Sequence, residues 1–345
     1  MSTRPFIAAR IETAINRRIE ALARRAGWVE RVTGYVGYGN HRSLRVLARL
    51  SLAPNRPRGV VGAEVHKLLE RRGWRNFITL ACVCRPVTVR LGDRTVEATT
   101  DRGGYIDVQI ADHGLAPGWH TVQVETEQAE PTSADVLVIA KNVTFGLVSD
   151  IDDTVISTWL PRPMIAAYNS FVATENARQA VPGMAEMYRD LLAQHPGSPV
   201  VYVSTGSWNT LPFLRRFLDR HRYPSGPMLL TDWGPTNTGW FRSGQDHKRN
   251  ALRQLARDFP HISWLLVGDD GQHDPMLYAE FAEYAPKRVR AIAIRQLNPV
   301  EQVLAHGTPG ERLDTPAAQD LRHPRPVVFG PDGFSLARKV RELDA

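Results

Sequence analysis

Four stretches of this 345-residue chain hold residue types from which catalysis is made. The densest is Gly146-Leu147-Val148-Ser149-Asp150-Ile151-Asp152-Asp153-Thr154-Val155, where an apolar run stops at three carboxylates and a hydroxyl. Asp150 and Asp152 are two apart. On a continuing strand they would share a face, and a bend after Asp150 would aim both at one small volume. Carboxylates that close repel unless a cation or a shared proton neutralises them. Mg²⁺ is the natural partner, since it takes few carboxylates and fills its shell with water and substrate phosphate. The second stretch, Ser204-Thr205-Gly206-Ser207, offers hydroxyls and backbone N–H groups just ahead of a helical pattern, an arrangement that receives phosphate oxygens. The third is Lys248, a cation near an expected helix start. The dipole there favours an anion, so Lys248 should face something negative. The fourth, Gly268-Asp269-Asp270-Gly271-Gln272-His273-Asp274, brings a second acidic group.

Each stretch needs a rigid element to aim it, and apolar runs are placed to do so. Val143 to Val148, Pro199 to Val203, Met228 to Leu230, Ser263 to Val267 and Val289 to Ile294 read as buried strands. Helical patterns lie between them: one opened by Pro182-Gly183 and carrying Met184, Met187, Tyr188, Leu191 and Leu192, then Leu211 to Leu218, then Lys248 to Phe259. Strands alternating with helices predict a parallel sheet, and such sheets carry their chemistry at the carboxyl ends of the strands. The segments that could cover the site, 156 to 180 and 233 to 246, are short, which suits a large substrate. Trp159, Met164, Ile165, Phe171, Trp208, Trp233 and Trp240 lie on or near them, either as an apolar apron for acyl chains or as ordinary core.

Before residue 140 the texture differs. Leu44 to Leu50, Ile78 to Val83, Pro86 to Leu91, Thr95 to Thr99, Tyr105 to Ile110 and His120 to Glu125 alternate as half-buried strands, punctuated by Gly92-Asp93 and Arg102-Gly103-Gly104. This predicts a small β-sandwich over 31–140, with a helical insertion from Gly62 to Arg72. Thr100 to Tyr105 resembles the hairpin of transthyretin-like and immunoglobulin-like accessory modules. Residues 1–30 are expected to form an amphipathic helix: Ile7, Ile11, Ile15, Ile19 and Leu22 make one stripe beside Arg10, Arg17, Arg18, Arg24 and Arg25. That stripe can pack on the protein itself or lie on an anionic membrane. Residues 141–345 form the third and chemical domain.

The net charge of +7 favours anionic partners without choosing among them. No groove interleaving aromatic and basic residues is apparent, so no specific nucleic acid is expected. Cys82 and Cys84, two apart, would point the same way from a strand and are too few for a zinc site. No apolar run approaches the roughly 20 residues that span a bilayer, and the amino terminus has no signal-peptide core. A cytoplasmic protein, at most peripheral at the inner membrane face, is the expectation.

The four stretches in this order on alternating strands resemble the haloacid dehalogenase-like phosphatase superfamily. More narrowly, Ser149-Asp150-Ile151-Asp152-Asp153-Thr154, Tyr202-Val203-Ser204, Gly226-Pro227-Met228-Leu229-Leu230, His247-Lys248 and Gly268-Asp269-Asp270-Gly271 resemble the catalytic domain of the actin-patch-associated phosphatidate phosphatases. The resemblance covers about residues 140 to 335, including Gly330-Pro331-Asp332-Gly333-Phe334. Two departures stand out: Gly206-Ser207-Trp208 replaces a Ser-Pro-Trp of many relatives, and Asp270 stands where a small polar residue is usual. The resemblance implies a Rossmann-like α/β domain that hydrolyses phosphomonoesters, with a lipid phosphatase favoured. A phosphoprotein or nucleic-acid phosphatase, and a binding protein with a vestigial site, are the alternatives. It implies Asp150 as nucleophile and Asp152 as general acid and base, with Ser204 and Lys248 holding phosphoryl charge. Thr205 and Gly206 would add phosphate contacts, and Thr154 would fix the loop or join them. Asp150, Asp269 and the carbonyl of Asp152 would hold Mg²⁺, with Asp274 as a further ligand or as a support behind them.

Overall fold

The computed structural model describes residues 18–55, 79–157, 179–231, 244–271, 273–299, 301–302 and 325–343. They fall into two compact units that divide after Ala140.

The first unit opens with a helical stretch over 18–25 and then holds nine strands. They are β1 (Trp28–Gly34), β2 (Gly37–Gly39), β3 (Ser43–Pro54), β4 (Leu80–Ala81), β5 (Pro86–Leu91), β6 (Arg94–Thr99), β7 (Tyr105–Ala111), β8 (Gly118–Glu125) and β9 (Thr132–Val138). β3 is twelve residues long and pairs with β1, β2, β4 and β7. Through it the nine strands are hydrogen-bonded into one sheet, so the expected sandwich of two separately paired sheets is not confirmed. Alternate residues build one core: Leu44, Val46, Ala48, Leu50 and Leu52 of β3 meet Ile106, Val108 and Ile110 of β7 and Val122 and Val124 of β8. Glu20 is buried and held by Arg24 and Arg85, while Ile19 and Leu22 of the same stretch are exposed. Cys82 is buried and Cys84 exposed, because the chain turns there and Cys84 takes a positive φ. The two thiols therefore do not share a face. Most of the expected amino-terminal helix and the helical insertion from Gly62 to Arg72 lie outside the described residues.

The second unit is built on six parallel strands in the order β14-β13-β10-β15-β16-β17. Their ranges are β10 (Phe145–Ser149), β13 (Val200–Ser207), β14 (Met228–Thr231), β15 (Ser263–Asp269), β16 (Val289–Arg295) and β17 (Val327–Gly330). A two-stranded hairpin, β11 (Ile156–Ser157) with β12 (Gln179–Ala180), leaves the carboxyl side of β10. Five α-helices are described: α1 (Met184–Gln194), α2 (Leu211–Arg220), α3 (Gly244–Asp258), α4 (Asp274–Tyr284) and α5 (Gly333–Glu342). Every residue of β10 is buried, as is β15 from Trp264 onward. Central parallel strands have to read as continuous apolar runs because both faces are covered. That is why these strands were legible. β10 lies at the middle of the sheet, with β13 and β15 as its neighbours, and the sheet order therefore gathers the ends of three strands.

Two glycines bring the starts of α1 and α5 together. Gly183, at φ 70°, precedes α1, and Gly333 begins α5. A Cβ on Gly333 would lie 2.2–2.3 Å from backbone atoms of Gly183 and Met184, so only glycine permits the approach. The Gly333 N–H donates to the Pro182 carbonyl at 2.9 Å.

Candidate active site

Asp150 follows β10 directly, and its N–H donates to the Val267 carbonyl at 2.9 Å, extending the ladder with β15 by one residue. Its carboxylate is therefore carried on a fixed backbone. The carbonyl of Asp150 accepts a 2.6 Å bond from Ser149 Oγ, which in turn meets the buried Tyr188 hydroxyl at 2.6 Å. Thr154 is fully buried and its Oγ1 lies 3.4 Å from Asp150 Oδ2, which places it behind the carboxylate in the loop.

Lys248 Nζ sits between two carboxylates, 2.6 Å from Asp150 Oδ1 and 2.6 Å from Asp274 Oδ1. All three side chains are buried. The reason for this inward cation differs from the expected one. α3 begins at Gly244, not at Lys248, so Lys248 lies beyond the first turn, where the dipole acts. Its buried residues are Lys248, Ala251, Leu252 and Leu255, spaced three, four and seven, so the lysine heads the apolar stripe and points inward with it.

Asp269 ends β15, and Asp274 opens α4. Gly268 lets the two come together: a Cβ there would lie 2.6 Å from Asp274 Oδ2. Oxygens of Asp150, Asp269 and Asp274 lie within 4.8 Å of one another. Asp269 Oδ2 and Asp274 Oδ2 are buried without a hydrogen-bond partner among the described residues. Burial pushes the Asp150 carboxyl well above its ordinary range, Lys248 opposes this, and Asp274 and Asp152 push it further. Asp269 is raised by burial and by Asp274 and Asp150. Burial alone would lower Lys248, yet Asp150 and Asp274 outweigh it and hold the ammonium charged. Three carboxylates around one ammonium leave an excess of negative charge. Together with two orphaned oxygens, this donor set fits a divalent cation of the oxygen-loving kind.

Asp152 is separate from that cluster. It is only half-buried, and its Oδ2 accepts a 2.9 Å bond from Ser204 Oγ. Ser204 comes from β13, where the pairing with β14 shifts register between Val203 and Ser207. The Gly206 N–H donates to Ser204 Oγ at 2.9 Å, and the carbonyls of Thr205 and Gly206 accept from Thr231 Oγ1 at 2.6 and 3.2 Å. Thus Thr205 and Gly206 shape the turn around Ser204. Asp270 points elsewhere, accepting from the Leu297 N–H at 2.8 Å. Burial raises its carboxyl to about 6 against that bond. Of the residues near the expected apron, Trp208 alone falls among those described. Asp153 at φ 59°, Arg295 and Glu301 were not anticipated. The signal for Arg295 was present, since it is a charge ending an apolar strand, as Asp150 and Asp269 do.

Residues 145–296 match the family model described as phosphatidate phosphatase APP1, catalytic domain. This segment is similar to the APP1 catalytic domain. The chain is 28% identical over 153 residues to phosphatidate phosphatase APP1 of Saccharomyces cerevisiae, covering 44% of this chain and 25% of that protein. It is 26% identical over 166 residues to an uncharacterized protein of Schizosaccharomyces pombe, covering 48% and 27%. The chain thus spans about a quarter of the length of these relatives. Among solved structures, the HAD domain of effector Lem4 from Legionella pneumophila is 16% identical, covering 50% of this chain and 90% of that one. Its TM-score is 0.30, a likeness that fixes neither fold nor activity. The APP1-type segment runs from the first residue of β10 to just beyond β16, and it contains all of the acidic cluster, Lys248, Ser204 and Asp152.

Proposed function

We propose that this protein is a phosphomonoester hydrolase acting through an aspartyl-phosphate on Asp150, with phosphatidate or a similar lipid phosphate as substrate. The observation that carries the reading is the pairing of unlike carboxylates two residues apart. Asp150 is buried against a fixed ammonium, while Asp152 reaches solvent and touches a hydroxyl. Different environments divide nucleophile from proton carrier.

Asp150 attacks phosphorus and the bond to the leaving oxygen breaks. Protonated Asp152 gives that oxygen its proton and becomes a carboxylate. The same carboxylate then takes a proton from water, whose oxygen attacks phosphorus and displaces Asp150 as inorganic phosphate forms. Ser204, which already bonds Asp152, would donate to a phosphoryl oxygen beside it. Lys248 favours the ionised form of Asp150 against its burial and offsets phosphoryl charge. Asp150, Asp269 and Asp274, with the carbonyl of Asp152, would hold Mg²⁺, which supplies neutralisation of the phosphoryl charge.

The choice of a lipid rests on the APP1-type segment and on the helical stretch over 18–25. There Glu20 and Ala23 are buried while Ile19 and Leu22 are 41% and 63% exposed, so these two apolar residues are turned away from the unit. No described helix is long and apolar enough to cross a membrane. A cytoplasmic protein that docks peripherally on anionic lipid fits both facts. The test is phosphate release, with Mg²⁺ and with chelator, from phosphatidate in mixed micelles, a phosphopeptide, a sugar phosphate and 3′-phosphorylated DNA. Release from phosphatidate is expected to dominate. Preference for the phosphopeptide or the DNA would replace lipid by that substrate, and no release from any would leave a binding protein with a vestigial site.

A further inference from the structure

The loop that carries Asp152 is held from outside by an ion pair that neither the acidic cluster nor the phosphate contacts explain. Arg295, the last residue of β16, is 5% exposed and spends its guanidinium on three partners. Nη1 donates to the Asp153 carbonyl at 2.7 Å, Nη2 to Glu301 Oε1 at 2.7 Å and Nε to the Pro331 carbonyl at 3.3 Å. Glu301 is also buried, and the same Oε1 accepts from Ser157 Oγ at 2.8 Å. Its Oε2 accepts from the Asn298 N–H at 2.9 Å, and its own N–H donates back to Asn298 Oδ1. One arginine and one glutamate thereby grip both ends of the segment 153–157.

The segment needs holding. Asp153 is a non-glycine residue at φ 59°, a conformation that persists only where surroundings impose it. The turn itself supplies short-range bonds, from Asp153 N–H to the Ile156 carbonyl and from Val155 and Ile156 N–H to the Ile151 carbonyl. Those bonds shape the turn but do not orient it on the sheet. Arg295 does, because β16 pairs with β15 and places Arg295 opposite Asp269. The Asp270 N–H donates to the Arg295 carbonyl at 3.0 Å, so the acidic loop and the Asp152 loop are referred to one residue. A guanidinium is suited to this, with rigid, forked donors that reach two acceptors at once.

We propose that Arg295 and Glu301 are a positioning pair for Asp152. They fix the 153–157 segment on the sheet and so present the acid to the leaving group. The proposal rests on the acid/base reading of Asp152 for its catalytic part and on geometry alone for its structural part. The variants are Arg295→Met and, should that fail to fold, Arg295→Lys, whose ammonium lacks the rigid planar fork that spans the Asp153 carbonyl and Glu301. Asp152→Asn is the benchmark. Two readouts are taken: kcat and KM for an alkyl and an aryl phosphomonoester with Mg²⁺, and amide hydrogen exchange of peptides covering 151–157 against those covering β15. The alkyl kcat is expected to fall about 10²-fold and the aryl kcat less than about 10-fold, since an acid contributes 10²–10⁴ where the leaving group needs it. KM should change little. Exchange in 151–157 should quicken at least about tenfold while β15 stays protected, as for a local opening. Equal losses for both esters, or unchanged exchange in 151–157, would overturn the proposal. If wild type hydrolyses neither ester, the phosphatase reading fails separately, and the exchange result alone decides whether the pair holds the loop.

Discussion

Lys248→Met tests the charge balance of the site without relying on turnover. The ammonium is 2.6 Å from each of two buried oxygens. At an effective dielectric of about 20, each contact is worth roughly 6 kcal/mol of gross attraction. The net loss is smaller, because the variant can relieve itself by binding a proton on the cluster. Protonating a carboxylate of ordinary pKa near 3.9 at pH 7 costs about 4 kcal/mol, which caps the penalty. Loss of one partner of a buried pair generally costs about 3–5 kcal/mol, the same size. We expect Lys248→Met to lower unfolding free energy by about 4 kcal/mol at pH 7 in chelator. The sign follows from the proton: the folded variant holds a carboxyl raised above its unfolded value, so stability is present at low pH and lost as pH rises. The deficit should therefore shrink by about 1.4 kcal/mol per unit between pH 7 and 5. Urea unfolding followed by circular dichroism at several pH values measures it. Divalent cation at about a hundredfold above its Kd should return about 2.7 kcal/mol. A deficit under about 1 kcal/mol at pH 7, or one that ignores pH, would refute Lys248 as the counter-charge of the cluster.

Asp150→Asn should leave a folded protein that releases no phosphate, because the amide is a poor nucleophile. Turnover near wild type in a phosphate-release assay would end the covalent mechanism. Burial pushes the Glu301 carboxyl up, but Arg295 and its hydrogen bonds outweigh this and hold it below the usual carboxylate range. Its contribution is thus present above the ordinary glutamate value of about 4.3 and lost as pH falls through the lowered one, so the urea midpoints of wild type and Glu301→Gln should converge in acid. Gly333→Ala should destabilise by about 1–3 kcal/mol, since a Cβ there meets backbone that cannot turn aside, and thermal unfolding reads this directly. Ile19→Gln with Leu22→Gln changes exposed positions and should spare folding while reducing co-sedimentation with phosphatidylglycerol vesicles at low salt. Undiminished sedimentation would exclude that stripe as a lipid contact.

What could be read from the chain follows a physical division. Apolar runs that end in a polar residue were visible, since a central parallel strand tolerates nothing else. Asp150, Ser204 and Asp269 were singled out that way, and Lys248 was singled out on the dipole, although it points inward because it heads the apolar stripe of α3. The contacts between loops were not visible. Nothing local to Asp152 says that its partner will be Ser204, because the register shift in β13 that turns that hydroxyl depends on β14. Asp270 gave no sign that it would bond Leu297 rather than face the cluster, as that bond joins loops after different strands. Before residue 140, β1 and β9 were missed because Glu30, Arg31, Ser133 and Asp135 interrupt their apolar pattern. Arg31, Ser133 and Asp135 face outward, while the Glu30 carboxylate is turned inward to Arg24. Likewise α5 is short, and its buried Leu336, Ala337 and Val340 make a stripe too brief to announce itself.

The sheet order also bears on how the chain is made. β10 is the first of the six parallel strands to be synthesised and the middle of the set; β13 and then β14 add to one side, β15, β16 and β17 to the other. Each strand on leaving the ribosome finds its only earlier neighbour already present, and no later strand has to wedge between two older ones. At 5–20 residues per second, the time from β10 to β17 is roughly 10–40 s, long compared with pairing and collapse. The strand bearing Asp150 can therefore serve as the template from which the layer grows outward. Closure comes last, when Gly333 emerges and seats against Gly183, joining a turn made early to one made late.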